Sequence, residues 1–323
     1  MKVLIAPDSF KGTYTAVEVA AAIAAGVREA GGEAVELPIA DGGEGTLTAL
    51  ASTTGAQLHT VTVNNPWGAP VEANFAVTPD GVGIVELAQA SGITVAHDGP
   101  RDAFSADTYG TGQLMLAAVA EGARAILVSA GGSATSDGAS GAIRAIQQAG
   151  GLNGVSVTVL TDVTTAFERA GVVFSPQKGA DPKTVERITQ RLHQQAAQLP
   201  KNPVGVARTG AAGGFSGGMW AQFDAELVSG ADHVLDFVDF EGQVATADVV
   251  VVGEGKLDSQ TGEGKIIDAV LDRVRRIKPN TPVVAVVGCV DPDLGDYAQN
   301  FARIFEATDA ELMRQAGRQI PGL

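Results

Sequence analysis

Four consecutive valines at residues 249–252 constrain this chain more than any other stretch. A run with no polar residue to turn toward water reads as a strand buried on both faces, and such strands belong to parallel sheets. The run follows Asp248 and leads directly into Gly253-Glu254-Gly255-Lys256-Leu257-Asp258-Ser259-Gln260-Thr261-Gly262-Glu263-Gly264-Lys265. Open α/β sheets bind ligands outside the carboxyl ends of their strands. Glycines there let the backbone approach a ligand, lysines neutralise phosphate, and a carboxylate can hold a metal ion. The stretch points to an enzyme handling an anionic, phosphorylated ligand.

The rest of the chain repeats the strand–helix alternation of a parallel sheet. Residues 3–6 and 35–39 read as strands, 16–30 as an alanine-rich amphipathic helix closed by Gly31-Gly32, and another helix begins at Thr46. Residues 61–63, 71–77 and 82–87 are short strands separated by Asn64-Asn65-Pro66-Trp67-Gly68 and Pro79-Asp80-Gly81, turn chemistry typical of antiparallel pairs. Strands resume at 125–129 and 155–160, a polar helix covers 182–199, and 283–287 is the last strand. The expected fold class is α/β with two domains. Residues 1–64 and 242–323 would form a Rossmann- or flavodoxin-like parallel-sheet domain, and 65–241 a second α/β domain inserted into it.

Composition narrows the function classes. With 323 residues the chain is long enough for two real cores. Asp and Glu outnumber Lys and Arg by 37 to 22, a net charge of −15, so nucleic acid and anionic membranes are repelled. An anionic substrate must then be met by locally concentrated cations and backbone N–H groups. Cys289 is the only cysteine, which excludes an intramolecular disulfide and argues against a cysteine zinc site. Within Val-Val-Ala-Val-Val-Gly-Cys it is expected to be a packed core thiol. The apolar start runs into Pro7-Asp8 too soon for a signal peptide, and 114–128 is interrupted by Glu121, Gly122 and Arg124. A soluble, cytoplasmic protein is expected.

Further loops share the logic of the first. They are Asp8-Ser9-Phe10-Lys11-Gly12-Thr13, Asp41-Gly42-Gly43-Glu44-Gly45-Thr46, Ser129-Ala130-Gly131-Gly132-Ser133-Ala134-Thr135-Ser136-Asp137-Gly138 and Pro176-Gln177-Lys178-Gly179-Ala180, with Gly210-Ala211-Ala212-Gly213-Gly214 as a softer case. Gly131 to Thr135 ahead of a helix should offer N–H groups and hydroxyls to a phosphate at the positive end of the helix dipole. Asp137 beyond it is placed to ligate Mg²⁺. Lys11, Lys178, Lys256 and Lys265 all sit in glycine-rich loops. No Walker A loop and no Gly-x-Gly-x-x-Gly opening a Rossmann unit occurs, and the 4 histidines lie outside these loops, which disfavours a histidine triad.

As an ordered set, these loops resemble the bacterial glycerate kinase family, of the type 1, glycerate 2-kinase-like kind. The likeness runs from Ile5-Ala6-Pro7-Asp8-Ser9-Phe10-Lys11 through Ala40 to Thr46, Tyr109-Gly110-Thr111-Gly112, Gly131 to Thr135, Pro176 to Ala180, Gly210 to Gly214 and Gly253 to Thr261, with Gly264-Lys265. The chain departs from the family pattern at Ser136-Asp137-Gly138-Ala139, at Thr161 to Ala166, and in a shortened connection between Gly151 and Val155.

The resemblance implies two α/β domains and ATP-dependent phosphorylation of D-glycerate, usually to 2-phosphoglycerate, with ATP and Mg²⁺ held in an interdomain cleft. Under that reading Asp8, Ser9, Lys11, Gly42, Gly43 and Glu44 meet glycerate. Asp41 accepts the hydroxyl proton, with Asp137 and Glu44 behind it. Gly131, Gly132, Ser133, Thr135, Lys178, Gly253, Glu254, Gly255, Lys256, Gln260 and Lys265 handle nucleotide and phosphate, and Asp258 or Asp137 ligates Mg²⁺. No nucleic acid or membrane partner is expected, and self-association into a homo-oligomer is open. The competing readings are a non-catalytic nucleotide- or sugar-acid-binding regulator on the same fold, and a kinase for another small hydroxy acid.

Overall fold

The computed structural model describes residues 1–258 and 266–322. Gln260 and Lys265 therefore lie outside the described residues. In chain order the elements are β1 (Lys2–Pro7), α1 (Ala16–Glu29), β2 (Glu33–Glu36), α2 (Thr46–Thr54), β3 (Gln57–Asn64), β4 (Pro70–Val77), β5 (Val82–Glu86), α3 (Leu87–Ser91), α4 (Tyr109–Ala120), β6 (Ala125–Ser129), α5 (Ser140–Gln148) and β7 (Ser156–Thr161). There follow α6 (Ala170–Phe174), α7 (Pro182–Ala196), α8 (Ala211–Phe223), β8 (Glu226–Ser229), α9 (Gly230–Phe237), α10 (Phe240–Thr246), β9 (Val249–Leu257), α11 (Ile266–Ile277), β10 (Val283–Val290), β11 (Arg303–Glu306) and α12 (Ala310–Gln319). They form two compact units: residues 1–41, 48–54 and 231–322 in one, 42–47 and 55–230 in the other.

The first unit is built on a parallel sheet of order β11-β10-β9-β1-β2. Counted within the unit, this is the doubly wound order 2-1-3-4-5, in which the winding direction reverses between β1 and β9. The valine run is β9, flanked by β1 and β10 and buried throughout residues 249–252. Helix α1 starts at a capping box in which the Thr15 hydroxyl accepts the Glu18 N–H while Glu18 accepts the Thr15 N–H. It crosses α12 at glycine contacts. A Cβ on Gly26 would lie 1.9 Å from the Arg314 carbonyl oxygen, and one on Gly317 would lie 2.2 Å from that of Ile23.

The second unit carries a mixed sheet of order β3-β4-β5-β6-β7-β8, antiparallel from β3 to β5 and parallel from β5 to β8. Its core packs α4, α5 and α8 against the sheet through Leu114, Met115, Ile146, Phe215 and Met219. A smaller cluster of Phe167, Ile188 and Leu192 seats α7.

The unit limits differ from the domain limits expected at 64/65 and 241/242, for identifiable reasons. Strand β3 pairs along its whole length with β4, which draws it into the second unit. At the other end, the buried Arg273 of α11 donates to the Asp232 carbonyl at 2.9 Å and pairs with Asp236 and Glu241, which draws α9 into the first. Among the described residues, no helix is long and apolar enough to cross a membrane.

The α1–α12 crossing leaves no room for a side chain. Gly26→Val should destabilise the protein by about 3 kcal/mol through overpacking, whereas Gly322→Ala, at a position with nothing within 4 Å, should be nearly silent. Urea midpoints of the two variants check this.

Candidate active site

In the first unit, the winding reversal opens a crevice beyond the carboxyl ends of β1 and β9. The loop after β1 is fixed there by its backbone. The Asp8 N–H donates to the Gly253 carbonyl at 2.8 Å, the Ser9 N–H donates to Asp8 Oδ1 at 2.6 Å, and the chain folds back where Phe10 bridges Tyr14. Gly12, with φ of +82°, takes the left-handed turn this requires. The cavity, about 550 Å³, is walled by Asp8, Ser9, Lys11, Asp41, Glu254, Gly255 and Lys256. These seven are the residues expected at the site, Asp41 as base and the others to bind substrate or phosphate; Phe10, Thr13, Ile266, Gly288, Cys289 and Thr308 complete the wall.

Its electrostatics centre on two carboxylates. Asp8 is 8% exposed, and burial pushes its carboxyl up to about 7; the nearby Asp41 charge adds to the rise, while the Ser9 N–H and Lys11 oppose it. The exposed Lys11 ammonium stands 3.8 Å from Asp41 Oδ2. Lys256 is engaged with Asp291 at 2.7 Å. Gly253 serves packing: a Cβ there would lie 2.8 Å from the Val286 carbonyl oxygen and 3.0 Å from the Pro7 Cβ. Asp258 follows the end of β9. Cys289, expected in the core, is instead exposed and borders this cavity, because β10 runs past its buried half and its last residues leave the core.

In the second unit, a cavity of about 350 Å³ opens at the carboxyl ends of β6 and β7. Gly42, Gly131, Gly132, Ser133, Asp162 and Lys178 supply its polar wall, and Ile93, Val163 and Phe174 its apolar one. Gly131 must be glycine, since a Cβ would lie 2.5 Å from the Gly43 Cα. The turn containing Gly43 and Glu44 is held by Glu86, whose Oε2 accepts the N–H groups of Gly45 and Leu47, both at 3.1 Å. Burial holds the Glu86 carboxyl above the usual carboxylate range despite these bonds.

Lys178 enters the cavity wall from a short 3₁₀ turn, Pro176–Lys178. Its Nζ donates to Ser133 Oγ at 2.8 Å and to the Thr135 carbonyl at 2.5 Å. Burial lowers its ammonium to about 7, with the Asp137 charge opposing that fall. Beneath it, α7 grips the loop: Arg191 donates to the Ser136 carbonyl at 2.9 Å and Gln195 to that of Asp137 at 3.0 Å. The left-handed run Ala212-Gly213-Gly214 packs on the same loop; a Cβ on Gly213 would lie 2.2 Å from the Thr135 carbonyl.

Three expectations for this loop are corrected. Asp137 is 1% exposed and does not border the cavity. Its Oδ2 accepts from the Thr108 N–H at 3.0 Å, the Thr108 hydroxyl at 2.9 Å and the Gly141 N–H at 2.9 Å. It ties the starts of α4 and α5 together, so a role as metal ligand or reserve base does not fit. For the same reason, the start of α5 presents its dipole to Asp137 rather than to a phosphate. Thr135 is fully buried and contributes its carbonyl to Lys178, not its hydroxyl to a ligand.

Glu86, Asp162 and Arg191 were not singled out from the sequence. Glu86 left a signal, a carboxylate closing the apolar strand Val82–Glu86. Asp162, immediately after β7, follows the same strand-end logic. Arg191, on a helix rich in polar residues, left none.

A model of the glycerate kinase family matches residues 3–150 and 147–317. Glycerate kinase of Bacillus subtilis (strain 168) is 35% identical over 91% of this chain and 86% of its own length. Glycerate 2-kinase of Escherichia coli (strain K12) is 34% identical over 93% and 88%. A crystal structure described as a glycerate kinase 2 from Salmonella typhimurium LT2 covers 100% of this chain and 97% of its own, at 31% identity and a TM-score of 0.87. With its loops in family order on the matching fold, the chain belongs to the glycerate kinase family.

Proposed function

We propose that this protein phosphorylates D-glycerate with ATP, with 2-phosphoglycerate as the favoured product. The observation that carries this reading is the first unit's cavity, where a buried carboxyl held near 7 stands with a second carboxylate and a lysine. Phosphoryl transfer asks for positioning, charge neutralisation and an aligned hydroxyl more than for covalent chemistry. A carboxyl near 7 is matched to accepting a hydroxyl proton at neutral pH. This moves the base from Asp41, the first expectation, to Asp8, with Asp41 raising its basicity. Lys11 and the Ser9 hydroxyl meet the glycerate carboxylate. The C2 hydroxyl oxygen bonds to the γ-phosphorus as the bond to the ADP oxygen breaks, and the hydroxyl proton passes to Asp8.

The second unit's cavity suits the nucleotide. Gly131, Gly132, Ser133 and Lys178 meet phosphate oxygens, while Ile93, Val163 and Phe174 offer an apolar wall to the base. Among the described residues no cluster of three or more metal-ligating side chains occurs. Mg²⁺ binds through one or two carboxylates plus phosphate oxygens and water. Glu254 and Asp258, hard oxygen donors at the end of β9, would hold it. Bound there, Mg²⁺ would neutralise charge on the transferring phosphoryl group.

A coupled assay with ATP, Mg²⁺ and D-glycerate, with the product assigned by phosphorus NMR, tests the activity. Binding of both ligands without ADP release would leave a regulator rather than a kinase. Lys11→Ala should lower kcat/KM by about 100-fold or more, the loss of a charge-assisted contact to the substrate carboxylate together with its alignment; near-wild-type turnover removes Lys11 from the site.

Asp8 predicts a pH profile. The base works only when ionised, so kcat/KM should rise as pH climbs through about 7, and Asp8→Asn should abolish that limb along with activity. Stability runs the other way. The folded-state value lies above the ordinary 3.8, so the favourable contribution is complete below about pH 4 and is lost as pH rises through about 7. Asp8→Asn should therefore raise Tm at pH 8 while eliminating turnover, and a fall in Tm would contradict the burial of an uncompensated charge.

A further inference from the structure

Lys178 is 9% exposed and borders the second unit's cavity, yet both of its hydrogen-bond partners, Ser133 Oγ and the Thr135 carbonyl, are neutral. A buried ammonium without a carboxylate on it carries a desolvation cost that a neutral amine avoids. The partners accommodate either form. A neutral amine has two N–H donors and a lone pair: the Thr135 carbonyl accepts one N–H, and the Ser133 hydroxyl can donate to the lone pair. An ammonium has three N–H donors, satisfied by the Thr135 carbonyl, the Ser133 oxygen and an oxyanion in the cavity.

We propose that Lys178 is a proton-linked latch for the nucleotide phosphate: neutral while the cavity is empty, it takes one proton from solvent as the anion enters, so that binding and proton uptake are a single event. The proposal rests on reading this cavity as the nucleotide phosphate site. Its surroundings set the balance. From the loop after β6, the buried Asp137 favours the ammonium. From the end of β7, Asp162 is the other ionisable side chain among the described residues lining the cavity. From α7, Arg191 donates to the Ser136 carbonyl, and ahead of α8 Arg208 donates to that of Thr161 at 2.9 Å. Asp181, the exposed N-cap of α7, completes the set. The value of about 7 reached by burial lies where an arriving phosphate can shift the equilibrium within the working pH range.

The test is calorimetric titration of the full chain with ADP at pH 8.5, without metal, in two buffers of different ionisation enthalpy. ADP is fully ionised there, so any proton taken up belongs to the protein. Uptake of about one proton per ADP is expected in the wild type, with Kd rising about tenfold per pH unit above 7.5. Lys178→Met should bind ADP weakly, and Lys178→Arg, which stays charged, should bind with a Kd that does not follow pH; neither should take up a proton. ADP binding that depends on Lys178 but takes up no proton overturns the latch and leaves the nucleotide site standing. Uptake that persists in Lys178→Met also overturns it, assigning the proton to another group such as Asp8. Wild-type ADP affinity in Lys178→Met overturns the nucleotide reading itself. The wild-type measurement decides the matter even if the Arg variant fails to fold.

Discussion

The parallel pairing of β1 with β9 is the constraint on which the first unit and its cavity depend. Val3 lies opposite Val249 and Pro7 opposite Gly253, joining segments separated in sequence by the whole second unit. The pairing is anchored at its start, where the Lys2 N–H donates to the Asp248 carboxylate at 2.7 Å, and at its end, where the Asp8 N–H meets the Gly253 carbonyl. Because β2 lies on one side of β1 and β9 on the other, the loops after β1 and β9 diverge around a crevice. Loss of this register by one residue would turn Asp8 away from that crevice and the valines out of their neighbours' packing. The placement of Asp8 at the cavity is thus a consequence of a long-range strand pairing, with all the loop-closure cost such a pairing carries.

Burial of ionisable groups separates the roles of carboxylates that look alike in sequence. Glu86 and Asp137 are buried and answered by backbone N–H groups; each closes a turn or joins two helix starts. Asp8 is nearly as buried but is answered by one N–H and faces a second carboxylate across a cavity. All three are displaced upward by desolvation, so the direction of the shift alone does not distinguish a working acid from a structural one. What distinguishes them is access: Asp8 borders a cavity and the other two do not.

Much of the fold was legible because periodicity reports burial directly. The valine run, the β3–β5 turns and the capped α1 all stand where pattern and turn chemistry placed them. The glycine-rich loops expected after strands do stand at the carboxyl ends of β1, β6 and β9. The errors share one cause, that a one-dimensional pattern does not record which three-dimensional neighbour satisfies a polar group. Asp137 reads as a metal ligand until Thr108, some thirty positions away, is seen to occupy it. Cys289 reads as core because its strand is apolar, although the strand outruns the core by several residues. Arg191 works through backbone carbonyls brought to it by the fold, and no spacing encodes that.

The same neighbour logic explains how an acidic chain can receive an acidic ligand. With a net charge of −15, long-range attraction does not recruit an anion, so on the proposed reading affinity for nucleotide arises from groups already placed at the cavity. A permanently charged lysine buried beside the loop after β6 would charge the empty fold its desolvation cost whether or not ligand were present. A lysine near neutrality defers that cost until an anion is there to offset it. Arg191 cannot do the same, because a guanidinium does not release its proton, and it is accordingly spent on carbonyls beneath the loop. The division of labour between a lysine at the cavity wall and an arginine behind it follows from the acid–base chemistry of the two side chains.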